Sequence, residues 1–428
     1  MNPQTGKISK TDFVRLLYNI FVALMVFGMK AGALFNYKLK KGLAGRRQSN
    51  AIVKQSFSPS DRIIWMHAAS LGEYEQGLPV LEKLKKHFPE HKVLITFFSP
   101  SGYDHVVRKN HLADAVCYLP LDTESQVAEF TGHFKTDIFF TVKYEYWYNL
   151  LRILHDKGTV IYVVSAFFYE KQLFFKPYGS WFTGQIRKHV NWFFHQTPDS
   201  YALARTLRLA QSSISVDTRF DRVKQLRERD HFIPGIDGFR GNHKLLVVGS
   251  SWEAEERMAQ VIAARNKDVK IIIAPHDLKR VDDLKAIFPG ALLQSEMEAG
   301  HATANQQQIL IIDSIGLLSR LYAYADVAVV GGGFHTRGLH NILEAAVFGV
   351  PVIFGNHYQK NPEADELIAR HGGKSFKDEI AAASFITDLL NDGDLMTEMG
   401  AHAATFITEQ PNASAVVVAR ILEDRKSN

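Results

Sequence analysis

An α/β fold of two Rossmann-like domains, preceded by an apolar N-terminal helix, is the architecture the sequence predicts. Three observations predict it: the length of 428 residues, a succession of short apolar runs separated by amphipathic stretches, and one uncharged segment near the start. A chain this long exceeds one ordinary domain, and two or three are expected. With 46% hydrophobic and 22% charged residues, it carries enough apolar material for packed cores.

The uncharged segment comes first. Residues 16–29 (LLYNIFVALMVFGM) carry no charge; Arg15 precedes them, and Lys30, Lys38, Lys40, Lys41, Arg46 and Arg47 follow. The run is shorter than the roughly 20 residues a spanning helix needs. No A-x-A-like cleavage site follows it, which argues against a removed signal peptide. Two membrane arrangements remain: a tilted span extended through Phe35 with Lys30 snorkelling, or a helix lying in the interface. An N-terminal core helix is the plainer alternative. The basic flank favours a main body on the cytoplasmic side. Residues 1–48 are therefore read as a membrane anchor with its basic flank.

Beyond Gln48 the pattern changes. Strands are predicted at 62–69, 92–98, 115–119, 137–142, 160–166 and 191–196. A second set falls at 244–250, 270–275, 309–312, 327–330 and 350–354. Many are continuous apolar runs rather than alternations, as expected of strands covered on both faces. The stretches between them, such as 77–88 and 252–264, read as amphipathic helices. Repeated strand–helix–strand units imply parallel sheets with right-handed crossovers. The polar, Gly- and Pro-containing stretch 227–243 is read as the interdomain linker. The first domain is accordingly placed at 49–230 and the second at 231–428, with the last helix able to pack back on the first. Ligands of such sheets sit beyond the carboxyl ends of the strands, so a cleft between two facing domains is expected.

Composition narrows the function. The single cysteine, Cys117, excludes an intramolecular disulfide framework and a Cys-rich zinc site. A net charge of +5 suits phosphates, anionic sugars or a membrane surface. No recognition motif or dense basic stripe points to nucleic acid.

Six stretches carry chemistry. At the end of the first strand, Ser70 and Glu73 have the S-x-x-E spacing of a capping box. Glu73 either holds the helix start or points into the ligand region, where it could take a proton from a hydroxyl. Lys143 and Glu145 follow the strand 137–142: a solvated surface pair, or a sugar and phosphate contact. The aromatic segment 167–182, with Lys171 and Lys176 interleaved, suits a lipid headgroup contact or a packed helix.

In the second half, Ser250 sits on a Gly-containing strand-to-helix turn, where backbone N–H groups favour a phosphate. His276 ends the next strand, and Arg280 could pair bidentately with a phosphate or a carboxylate. The last stretch, 330–346, runs from a strand through Gly331-Gly332-Gly333-Phe334 and a loop into a helix ending near Gly349. Glycines there allow close approach of a ligand to backbone. It matches neither G-x-G-x-x-G nor the P-loop pattern. Glu344, three residues after Asn341 on one helical face, could reach ribose hydroxyls.

Taken together, these stretches resemble the 3-deoxy-D-manno-octulosonic acid (Kdo) transferases. The resemblance rests on His67-Ala68-Ala69-Ser70-Leu71-Gly72-Glu73, Thr218-Arg219-Phe220-Asp221-Arg222-Val223, Gly249-Ser250-Ser251-Trp252 with Glu255-Glu256, and Pro275-His276. The rest of it is Gly331 to Phe334, His340-Asn341-Ile342-Leu343-Glu344, and Phe354 to Tyr358 with Glu363-Ala364. It covers nearly the whole chain. It implies a glycosyltransferase-B architecture, a CMP-Kdo donor, and a lipid A precursor as acceptor at the cytoplasmic face of the inner membrane. It implies Glu73 as catalytic base and Glu145 as a second carboxylate of the site. Ser70, Lys143, Arg219, Ser250, His276, Arg280, Gly332, Gly333, Phe334, Asn341 and Glu344 are then the substrate-binding set. No metal and no further cofactor is implied, and no Asp-x-Asp clamp is visible.

The chain departs from its relatives in three places. Lys143 stands where many carry a second acidic residue. Ser215-Val216-Asp217-Thr218 lacks the usual glycine, and Ser165-Ala166-Phe167-Phe168 replaces an Asn-Ala-Arg segment. Two other classes compete: a membrane-associated transferase using a nucleoside diphosphate sugar, and a non-catalytic lipid-binding scaffold. Competition by CMP against UDP separates the first. Joint presence of Glu73, Arg280, Asn341 and Glu344 argues against the second.

Overall fold

The computed structural model describes residues 10–108, 111–300, 306–336 and 338–426. The chain divides into two compact units, residues 1–222 with 412–428 and residues 223–411. Each is built on a seven-stranded sheet, and every strand pairing in it is parallel.

The first sheet contains β1 (Arg62–Ala68), β2 (Lys92–Phe97), β3 (Ala115–Tyr118), β4 (Lys135–Val142), β5 (Val160–Ala166), β6 (Trp192–His195) and β7 (Ser212–Ile214). Their order is β3-β2-β1-β4-β5-β6-β7. Successive residues feed opposite faces. Ile63, Trp65, Leu94, Phe139, Ile161 and Phe193 enter one core cluster, while Ile64, Met66, Val93, Ile138, Phe140 and Phe194 enter another. Both faces are covered, which is why the strands read as unbroken apolar runs.

The second sheet contains β8 (Leu245–Ser251), β9 (Lys270–Pro275), β10 (Leu292–Leu293), β11 (Ile309–Ile311), β12 (Val327–Val330), β13 (Val352–Gly355) and β14 (Gly373–Phe376). The order is β10-β11-β9-β8-β12-β13-β14. In both sheets the order reverses beside the first strand, between β1 and β4 and between β8 and β12. Those reversals are the points where doubly wound sheets bind ligands.

Three strands have no counterpart in the sequence reading: β7, β10 and β14. All three are sheet edges. They are two to four residues long (SSI, LL, GKSF), and β7 and β14 are partly polar. An edge strand needs only one neighbour and one covered face, so it leaves little apolar pattern to read.

In the first unit, α1 (Lys10–Gly32) and α2 (Tyr37–Ser56) precede β1, and α3 (Leu71–His87) follows it. The boundary expected at residue 48 falls inside α2. This helix is capped by Asn36, whose side chain accepts from Lys38 N and Leu39 N. Its Val53 is fully buried in the core of the first unit. The stretch 227–243 also differs from the linker it resembles. It contains a short helix, Ile236–Arg240, whose Ile236 and Phe239 are fully buried, and Arg240 pairs with Asp326 at 3.0 Å. At the other end, the helix Ala413–Lys426 lies in the first unit. The Asp221 carboxylate accepts from Ala413 N (3.0 Å) and Ser414 N (2.6 Å), and Val417, Val418 and Ile421 join its core.

Candidate active site

In the first unit, the residues singled out from the sequence gather at the carboxyl ends of β1 and β4. Ser70 is the N-cap of α3, but its side chain makes no capping bond. Glu73 reaches back instead and accepts from Ala69 N at 2.5 Å. Neither bond of the capping box forms, and one carboxylate oxygen is committed to the backbone one residue before the cap. Glu73 is buried. Burial raises its pKa above the ordinary glutamate value, and the charge of Glu145 raises it further; the Ala69 bond, His67 and Lys143 pull the other way. A carboxylate so placed is more basic than one in water.

Glu145 is held by Trp147, whose Nε1 donates to its Oε2 at 2.9 Å. His67 stood out in the sequence only as part of its motif, yet it lies in the same group. It is fully buried, and its Nδ1 faces the Thr96 carbonyl at 3.1 Å. The same Nδ1 lies 3.0 Å from the Thr96 hydroxyl. Nε2 has no hydrogen-bond partner and stands 3.8 Å from Glu145 Oε2. Lys143 lowers the pKa of both Glu73 and Asp217 by its charge.

Asp217 organises Arg219. Its carboxylate accepts from Arg219 N (2.8 Å) and Nε (2.9 Å), and also from Gln76 Nε2 (3.0 Å) and Gln196 Nε2 (3.1 Å). Burial opposes its ionisation, but the charge and hydrogen bonds of Arg219 win, and its pKa lies below the usual value. Arg219 is thereby oriented, with part of its charge spent on Asp217.

The backbone here is unusual. Lys143, Ser165 and Val216 all have positive φ, at 65°, 53° and 61°. The chain lacks glycine at Ser215-Val216-Asp217-Thr218, yet Val216 adopts the left-handed conformation a glycine would take. For a β-branched residue that is strained.

In the second unit, the corresponding place is the carboxyl end of β8 and β12. Ser250 has φ 52°, another left-handed non-glycine. Gly332 has φ 92° and donates its N–H to Glu255 Oε1 at 2.9 Å. A Cβ on Gly331 would strike the Ser250 carbonyl, and one on Gly333 would meet Gly355 backbone at 2.7 Å. These glycines are therefore required by the protein's own backbone packing. Glu255 also accepts from Trp252 N at 3.0 Å, so one buried carboxylate ties the glycine turn to the start of the helix Glu253–Arg265.

The structure assigns Arg280 partners that spacing did not reveal. Its Nε donates to Glu256 Oε1 at 2.9 Å and its Nη2 to Glu256 Oε2 at 2.5 Å. Glu253 and Asp283 lie 3.3 and 3.7 Å from Nη1. The bidentate face expected to meet a phosphate or a carboxylate grips the protein's own buried carboxylate, Glu256. Asn341 donates to Glu344 Oε1 at 3.1 Å and accepts from Leu343 N. The helix bearing Glu344 is a single turn, Leu343–Ala346, so its macrodipole is small.

Imidazole and indole rings make up much of this second group. Trp252 stacks on His276 at 4.5 Å, and its edge meets His335 at 4.7 Å; His276 lies 4.7 Å from His340. Burial, followed by the charges of His276 and His335, pushes the His340 pKa down to about 4. A cavity of about 370 Å³ opens beside them, lined by Trp252, Glu253, Ala254, Arg257, Phe334, His335 and Thr336. Phe334 is the one member of the sequence-derived set in that lining. Trp252, His335 and His340 were missed as site residues, although all lie inside the stretches that carry the motifs.

Comparison with known proteins agrees with this layout. Residues 41–222 match the family model described as 3-deoxy-D-manno-octulosonic-acid transferase (Kdo transferase). The 3-deoxy-D-manno-octulosonic acid transferase of Chlamydophila psittaci is 26% identical over 81% of this chain and 82% of its own length. That of Aquifex aeolicus is 25% identical over 79% of this chain and 89% of its own. Among solved structures, the UDP-GlcNAc 2-epimerase of Neisseria meningitidis bound to UDP-GlcNAc superposes with a TM-score of 0.60. It shares 15% identity, covering 85% of this chain and 100% of the epimerase, which shows the two-domain α/β fold alone. By sequence the chain is similar to Kdo transferases over about four fifths of its length.

Proposed function

We propose that this glycosyltransferase moves Kdo from CMP-Kdo to a lipid A precursor (lipid IVA), with inversion at the anomeric carbon, in lipopolysaccharide biosynthesis at the cytoplasmic face of the inner membrane. The observation that carries the catalytic part is Glu73. It is a buried carboxylate with raised basicity at the reversal point of the first sheet, beside Glu145, Lys143 and His67.

In the proposed step, an acceptor hydroxyl oxygen forms the new bond to the anomeric carbon and passes its proton to Glu73. The bond from that carbon to the CMP phosphate oxygen breaks, and its electron pair leaves with CMP. Positive charge grows at the sugar as the bond lengthens, so fixed dipoles around the departing phosphate lower the barrier. Ser250, Gly332, Gly333, Phe334, Asn341, Glu344 and His276 are proposed to hold the donor. A donor phosphate would reach Arg280 by displacing the exposed Glu253 rather than the buried Glu256. Ser70, Lys143 and Arg219 are proposed for the acceptor side and the sugar carboxylate.

The test is transfer from CMP-Kdo, generated in situ, to tetraacylated lipid A precursor, read by mass spectrometry for the wild type and Glu73→Gln. Transfer by the wild type with a loss on the order of a hundredfold or more in the variant is expected. Equal transfer by both would reduce Glu73 to a helix-start contact. Absence of CMP binding would overturn the donor.

A further inference from the structure

We infer that α1 lies flat in the lipid interface as a monotopic anchor and does not cross the bilayer. The inference rests on the membrane attachment proposed above and specifies its mode. By length and composition, Phe13–Gly32 could span. Its side-chain environment divides it lengthwise instead. Arg15, Tyr18, Asn19, Val22 and Val26 recur at helical spacing and face the first unit.

Those contacts are specific. Arg15 pairs with Glu124 at 2.8 Å. The Tyr18 hydroxyl donates to Asp122 Oδ2 at 2.6 Å and accepts from Tyr148 N at 3.2 Å. The Asn149 amide donates to Asn19 Oδ1 at 2.9 Å. Asp122 in turn accepts from Asn149 N and Leu150 N, at the start of the helix Tyr148–Asp156. Tyr18 packs edge-on to Tyr148 at 5.3 Å and against Phe182 at 6.0 Å. Val22 and Val26 are buried with Leu121. A spanning helix is surrounded by lipid, and every one of these bonds would have to break or draw Asp122 and Glu124 into hydrocarbon.

The opposite face has a different partner. From Phe13 to Gly28, every exposed residue is apolar: Phe13, Leu16, Leu17, Ile20, Phe21, Ala23, Leu24, Phe27 and Gly28. Exposed Leu34, Phe35 and Tyr37 extend this surface past the helix end. Exposed Lys30, Lys38 and Lys40 follow it. An uncharged stripe bordered by lysines matches an anionic bilayer surface, where apolar groups enter the acyl boundary and ammonium groups meet phosphate.

Cysteine accessibility in proteoliposomes of phosphatidylcholine and phosphatidylglycerol tests the geometry. Cys117 is buried and its thiol is pushed up to about 12, so the wild type gives a low labelling background. The full chain carries one new cysteine, at Thr11 or at Lys377, and a membrane-impermeant maleimide is added without detergent. A flat α1 puts both positions on one side, so the labelled fractions agree. Complementary fractions, one rising as the other falls, would overturn the inference while leaving membrane attachment intact. Failure of the chain to float with these vesicles would overturn both. Leu24→Glu is expected to reduce flotation at least tenfold with unchanged circular dichroism; unaltered flotation would exclude this face as the lipid contact.

Discussion

The two sheets reverse their strand order at equivalent places, yet the side chains at the two reversals are treated in opposite ways. Beyond β1 and β4, charge is left incompletely satisfied. Glu73 has one backbone donor and a raised pKa, Glu145 adds like charge, and His67 Nε2 is buried with no hydrogen-bond partner. Beyond β8 and β12, charge is closed on itself. Glu256 neutralises Arg280, and Glu255 holds two backbone N–H groups. A group that must accept a proton has to keep a free, basic lone pair. A surface that holds a nucleotide needs shape and a rigid backbone instead. On the proposed reading, one architecture serves proton transfer in one unit and binding in the other, by how completely each pairs its charges.

Breaking a pair in the second unit should produce the largest change in stability. Glu256→Ala leaves the Arg280 guanidinium facing a site where its buried partner has gone, a defect that typically costs about 3 kcal/mol or more. Denaturant unfolding should show that loss in the second unit. An unchanged midpoint would mean that Glu253 and Asp283 take over the charge. Arg280→Met combined with Glu256→Met should recover much of the loss, because no unpaired charge then remains.

The first unit offers a pH test. The base must lose its proton before it can accept one, so activity should rise with pH through a folded-state pKa lying above the ordinary glutamate value. Glu145 contributes part of that rise by like-charge repulsion. In Glu145→Gln, the acidic limb of kcat/KM should move to lower pH with activity retained on the plateau. Collapse of the plateau would make Glu145 the base and Glu73 the residue that tunes it.

The smallest expected effect is a gain. Val216 holds φ 61°, at a place where the family resemblance implies glycine. Left-handed backbone costs an L-residue roughly 1–2 kcal/mol, and the extra entropy a glycine loses on folding offsets about half of that. Val216→Gly should therefore raise stability by less than about 1 kcal/mol, seen as a small upward shift in Tm. A downward shift would show that the valine side chain's packing outweighs the strain.

The central strands were legible because their evidence is local. A strand such as Ile63-Ile64-Trp65-Met66 announces itself in consecutive residues once both faces must be covered. The ligand-proximal turns were legible too, since glycine, hydroxyl and carboxylate residues cluster directly after those strands. The three edge strands β7, β10 and β14 were not, having no apolar run long enough to stand out. Capping spacing drew attention to Glu73, but its Ser70 partner takes no part, and the bond runs to Ala69 instead.

What the sequence determined by itself was therefore the alternation of strands and helices, the places where chemistry could be mounted, and the apolar character of α1. Tertiary structure decided the rest. Arg280 meets a carboxylate 24 residues away, and Tyr18 meets one 104 residues away. Residue 216 takes a glycine's conformation without the glycine, and α1 turns one face to protein and the other outward. The physical reason is range. Periodicity and backbone preference are properties of neighbouring residues, whereas protonation, pairing and the choice of which helix face is covered depend on charges and surfaces that only folding brings together.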